Sequence, residues 1–142
     1  MVFIRNLAAW AGFAFALNLV WEIGQLSLYT IYSAGTPREI AFALAHCTAG
    51  DVLIAVSSFV LGLLATRRPD WPMSRPLLGG AVAILSGLAY TVFSEWRNVY
   101  QTGSWSYTPG MPLLFGIGLA PLLQWIVIPP LCIAGLRKRW MG

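Results

Sequence analysis

With 142 residues, 58% of them apolar and only 10% charged, this chain lies far from a soluble domain, in which about a quarter of residues are charged. A net charge of +4 would suit nucleic acid in a soluble protein, but no basic and aromatic nucleic-acid module occurs, so nucleic acid is excluded as a partner. The composition predicts an all-α polytopic membrane protein, one transmembrane domain over residues 1–142, with the lipid bilayer as its first partner.

The first apolar run, Leu7 to Tyr29, can cross a hydrocarbon core of about 30 Å as a helix. Arg5 gives it the look of a secretory leader. Yet Asn18, Glu22 and Gln25 interrupt the part where an apolar core and a small-residue cleavage site belong, so the run is expected to be retained. Their i, i+4, i+7 spacing puts all three on one helix face.

A short link from Thr30 to Glu39, with Gly35 and Pro37, leads to the second run, Ile40 to Leu64. That run opens on "HCTAGD", where His46 and Asp51, five residues apart, point about 140° from each other. The next link, "TRRPDWPMSRP", has three Pro that forbid helix and reads as a solvated turn with Trp71 at headgroup level.

The third run, Leu77 to Ser94, carries Gly79, Gly80 and Gly87, small residues that let helix backbones approach. This helix is expected to end on Thr91, Glu95 and Asn98, which repeat the polar spacing of the first run. The following loop, "SEWRNVYQTGSWSYTPGMP", concentrates Trp96, Tyr100, Trp105 and Tyr107, rings suited to a membrane boundary. The fourth run is expected from Pro112 to Leu136, with Pro112 in its first turn and a kink at Pro129 and Pro130. These four runs are continuous and rich in Leu and Ala, which argues for helices over the alternating strands of a barrel.

Four spans put the N-terminus, the "TRRPDWPMSRP" link and the C-terminus on one side, with seven basic residues (Arg5, Arg67, Arg68, Arg75, Arg137, Lys138, Arg139) against two (Arg38, Arg97) on the other. The positive-inside rule then predicts both termini in the cytoplasm. In that orientation Glu22, Gln25, His46, Glu95 and Asn98 fall in the outer half and Asp51 nearer the midplane, beneath the aromatic loop as a lid. Cys47 and Cys132 would differ in depth by roughly 20 Å, too far for a disulfide.

Ionisable groups inside a bilayer cost about 2.5–3.5 kcal/mol each on insertion scales, so the acids are expected to face the bundle interior. One reading is plain interhelical hydrogen bonding. The other is acid/base chemistry by Glu22, His46, Asp51 and Glu95, with Asn18, Gln25, Trp96, Asn98, Trp105 and Tyr107 contacting a lipid-soluble small molecule. His46 with three carboxylates would suit iron or manganese, but a single His without HxxxH or CxxC spacing does not indicate a metal site. Two axial His for haem are excluded in a monomer, and no cofactor is assigned. Hydrolysis by Ser94 or Cys47 with His46 lacks a nucleophile elbow.

Over residues 95–115, "SEWRN", "WSY" and "MPLLF" resemble the lycopene cyclase domain of small bacterial and fungal carotenoid cyclases. The resemblance implies an isoprenoid substrate, with Glu95 and Asn98 on the family's acid and Asn, Trp105 and Tyr107 on its Trp-x-Tyr, and Pro112 on its Pro. Leu113 and Leu114 stand where that family has two Glu, so the acid's role would pass to Glu22 or Asp51. With "NLVWEIGQLSLY", "HCTAGD" and "PLLQW", the whole chain also looks like a class of small four-helix bacterial membrane proteins tied to no activity, which implies a multi-pass protein of the bacterial inner membrane.

The residues leave open whether the protein is an enzyme. A non-catalytic accessory subunit of a larger membrane complex and a proton or ion pathway through Asp51 are the alternatives. Homo-oligomerisation is compatible with so small a bundle, although no GxxxG-type face specifies it.

Overall fold

The computed structural model, which describes residues 1–141, is built from four long helices: α1 (Val2–Gln25), α2 (Pro37–Thr66), α3 (Pro76–Trp96) and α4 (Leu119–Met141). With the helical turns that extend them, the segments Val2–Leu28, Pro37–Thr66, Pro76–Gln101 and Leu119–Trp140 are long and apolar enough to cross a membrane. Each helix packs on its neighbours in the chain, and α4 closes the ring against α1. The result is an up-down bundle with both termini at one end, where the Arg5 guanidinium lies 3.3 Å over the Trp140 ring.

Local sequence explains both ends of α2. Thr36 and Glu39 form a capping box at the start of α2, the Thr36 hydroxyl accepting from Glu39 N–H at 3.3 Å and the Glu39 carboxylate from Thr36 N–H at 2.8 Å, with Pro37 in the first turn. α2 stops where Arg67 turns left-handed (φ 54°), its N–H bonded to Leu63 C=O at 2.7 Å. Cys47 and Cys132 are both free, as their depths require.

Several polar side chains are buried inside the bundle while large apolar ones cover much of its exterior, unlike a soluble bundle. On α1, Asn6, Trp10, Ala14 and Asn18 recur every four residues and are buried, while Phe15, Val20 and Ile23 point outward. Exposed Phe42, Leu53, Leu64 and Leu85 extend that apolar exterior around α2 and α3, as for helices whose surroundings are hydrocarbon.

Three expectations are corrected here. Trp71 is not a surface anchor: it is fully buried, its ring centroid 5.4 Å from Trp10 and 5.3 Å from Phe59, and its N–H donates to Phe59 C=O at 3.1 Å. Gly62 and Gly79 make its seat, since a β-carbon at either position would strike the indole, and Gly87 does the same for Trp125. These glycines admit side-chain rings rather than helix backbones.

Second, the aromatic loop does not begin at Ser94. α3 continues through a π-helical turn, Arg97–Gln101, so Trp96 and Tyr100, expected in the loop, are helical, in keeping with the helical spacing of Glu95 and Asn98. Third, α4 does not start near Pro112. A hairpin intervenes, β1 (Leu113–Leu114) pairing antiparallel with β2 (Ile117–Gly118), and Phe115 and Gly116 reverse the chain with positive φ of 51° and 82°. Helical geometry then runs unbroken from Leu119 through Pro129 and Pro130.

Candidate functional site

At the end of the bundle opposite the termini, the helices part around an open crevice of about 1180 Å³. Its walls come from the ends of α1 and α3, the first half of α2, the start of α4 and the loop around Trp105. The loop is fastened across the mouth by a short antiparallel pairing with the chain after α1: Thr30 N–H donates to Ser106 C=O at 3.0 Å and Thr108 N–H to Leu28 C=O at 2.9 Å.

Deep in the crevice, one amide joins three helices. Gln124 Nε2 on α4 donates its two hydrogens to Asn18 Oδ1 at 2.7 Å on α1 and to Asp51 Oδ2 at 2.9 Å on α2, and Glu22 Oε1 on α1, at 3.4 Å, shares one of them. Gln25 Nε2 adds a 2.7 Å bond to Glu22 Oε1, and Gln25 in turn accepts from Trp21 Nε1 at 3.2 Å. Asn18, fully buried, donates to Ala14 C=O at 2.8 Å. Glu22 and Asp51, from two different helices, are thereby brought to one donor, Gln124.

Nearer the mouth, Glu95 Oε2 accepts from Tyr107 O–H at 2.5 Å and Tyr29 O–H at 3.3 Å. Tyr107 Oη itself accepts from Gly118 N–H at 3.0 Å, which ties the hairpin to the acid. Burial first, and then the adjoining Glu95, hold both phenols above the ordinary tyrosine range, so they act as donors to the carboxyl. The Trp105 indole N–H is directed toward Glu95 but falls outside hydrogen-bonding geometry and is buried without a partner.

The anticipated residues are thus partly gathered. Glu22, Gln25, Asp51, Glu95, Asn98 and Trp105 line the crevice, and Asn18 and Tyr107 brace it from behind. Asn98 spends its amide on its own helix, donating to Ser94 C=O at 2.8 Å. His46 reaches the rim but is exposed, stacked on Phe42 with centroids 5.7 Å apart and without a hydrogen bond to Asp51. Trp96 points outward, half exposed, and does not line the crevice. Among the described residues no three His, Cys, Asp or Glu side chains converge as a metal site would need, so His46, Asp51, Glu22 and Glu95 do not make a ligand set.

Two residues were missed. Gln124 is the sole amide within the expected fourth run, which holds no charged residue, and that isolation was its signal. Tyr29 sits at the edge of an apolar run and carries no signal short of the fold itself. Comparison with family models, with curated proteins and with solved structures finds no match to this chain.

Proposed function

We propose that the chain crosses the bacterial inner membrane four times with both ends in the cytoplasm, which places the crevice in the outer half of the bilayer. The asymmetry of basic residues supports that orientation. Reporters fused to the N-terminus and to the link near Arg68 should both be shielded from reagents added to intact cells, whereas a tag inserted near Gly103 should be reached. Labelling of the first two would reverse the topology.

In that setting the crevice binds, and by acid/base chemistry transforms, a lipid-soluble molecule such as an isoprenoid, a carotenoid-like chain or another lipid. The observation carrying this reading is the joining of Asn18, Glu22, Asp51 and Gln124 from three helices at the floor of an open cavity. Interhelical glue alone needs no cavity, and this one has apolar walls that include Phe42, Ile54 and Tyr90. Glu22 and Asp51, brought together on Gln124, can hold a proton and pass it to a bound substrate, one acting as acid and its neighbour as the acceptor on return. Glu95, held by two phenols, is the second acid within the crevice. His46 stands apart from Asp51, so the proton path in this proposal runs between the carboxyls and not through the imidazole.

A through-going proton or ion channel is disfavoured by the packing, because Trp10, Phe59 and Trp71 fill the other half of the interior. Mass spectrometry of organic extracts from purified protein tests the binding reading. The wild type should retain a lipid-soluble compound, and Glu22→Gln/Asp51→Asn should lower its recovery by about 10-fold or more, a loss of about 1.4 kcal/mol. Equal recovery from both proteins at equal helicity would remove the basis for a substrate site.

A further inference from the structure

We propose that the end of the bundle where both termini lie binds the phosphate of an anionic phospholipid headgroup, held by Arg5, Arg139 and the indole N–H of Trp140. This site lies at the opposite end from the crevice and does not depend on it.

The first turns of α1 and the last turn of α4 meet here. The Arg5 guanidinium lies 3.3 Å over the Trp140 ring, and that of Arg139 is 6.0 Å from the same centroid. Two cations gathered on one indole are less than about 10 Å apart, within a Debye length at 0.1 M salt, so they repel. Among the described residues no Asp or Glu oxygen lies within 4.0 Å of either. The ring face offsets part of that repulsion but gives the in-plane guanidinium N–H groups no acceptor.

Trp140 gives an independent sign of an absent acceptor. Its Nε1 is buried without a hydrogen-bond partner, although the residue as a whole is partly exposed. Three donors thus converge on no acceptor, and two of them also lack a counterion. A phosphate answers both features, because guanidinium groups grip its oxygens bidentately and each oxygen keeps a further lone pair for the indole N–H. Free phosphate would match the donors equally well; the adjoining surface favours lipid. Ile4, next to Arg5, is 69% exposed and Val2 is 44% exposed, which sets an apolar wall for acyl chains beside the charge. The same end carries Arg67, Arg68, Arg75, Arg137 and Lys138 against one acid, Asp70, and so draws anionic headgroups toward it.

Native mass spectrometry of the full chain, released from mixed micelles of equimolar phosphatidylglycerol and phosphatidylcholine, counts the lipids that stay bound. The wild type should retain phosphatidylglycerol at least about 10-fold over phosphatidylcholine. Arg5→Gln/Arg139→Gln should shrink that preference several-fold, and so should Trp140→Phe, which keeps a ring and removes the N–H. Arg67→Gln/Arg75→Gln withdraws the same charge from the same end and should leave the preference within about twofold. The wild-type selection does not depend on any variant folding. Equal retention of the two lipids by the wild type would remove the site. Equal losses in the two arginine pairs would replace it with a diffuse basic face, and an unchanged preference in Trp140→Phe would take the indole out of it. If excess inorganic phosphate abolishes the preference and chloride at the same ionic strength does not, the occupant is the free anion and the lipid assignment is wrong.

Discussion

Gln124→Leu is expected to disrupt the crevice more than any other single change to an uncharged residue. The substitution preserves bulk but withdraws the donor that serves Asn18, Glu22 and Asp51 together. Asn18 is wholly buried, so its Oδ1 would be stranded at a cost of about 1–3 kcal/mol. Glu22 and Asp51 open onto the crevice and can recover part of their loss from water. Interhelical hydrogen bonds in membrane proteins average about 0.6 kcal/mol, and the larger figure here follows from the full burial of Asn18, whose stranded oxygen has no water to replace the amide. Unfolding free energies of Gln124→Leu, Asn18→Leu and the double variant close a mutant cycle, in which the double should lose less than the sum, because with both partners gone neither strands the other. Strict additivity, or a single Gln124→Leu within about 0.5 kcal/mol of the wild type, would show that the amide is not the organising centre.

Trp71→Ala should have the largest effect on stability, about 3–5 kcal/mol, the range for emptying a buried aromatic site. Lipid competes well for apolar side chains, so burial by itself would stabilise little inside a bilayer. The cost arises from packing: the ring fills a seat formed by Gly62 and Gly79, contacts Trp10 and Phe59, and its N–H satisfies the Phe59 carbonyl. Those glycines leave no neighbouring side chain able to fill the void. Because Trp71 lies at the end remote from the crevice, ligand binding measured on the folded fraction should stay within about twofold of the wild type, a difference of about 0.4 kcal/mol. A stability change below about 1 kcal/mol would mean the seat can collapse.

The four helices were legible because helix-forming apolar runs of the right length need no partner to be recognised. The i, i+4, i+7 polar stripe on α1 was legible for the same reason, since periodicity alone assigns Asn18, Glu22 and Gln25 to a face. The capping box of Thr36 and Glu39 is equally local. Errors came where a neighbour overrode a local preference. Trp71 in a proline-rich turn has the composition of a surface anchor, yet Gly62 on the helix before it and Gly79 on the helix after it create a hole that the indole fills. Pro112 suits a helix start, but the left-handed pair Phe115 and Gly116 folds the segment into a hairpin first. His46 and Asp51 were adjacent by number and separated by helix rotation, while Gln124 was distant by number and brought to 2.9 Å of Asp51.

What the chain determined on its own was therefore the count of helices, their apolar exteriors and the polar faces they carry, all properties of short-range spacing. Tertiary structure alone decided which polar faces meet, that an amide on the last helix joins acids on the first two, and that Tyr29 and Tyr107 from separate segments share Glu95. The reason is that a hydrogen bond between helices depends on rotation and depth to within about an ångström. Helical periodicity gives a direction around each axis, but only packing of all four sets the axes against one another.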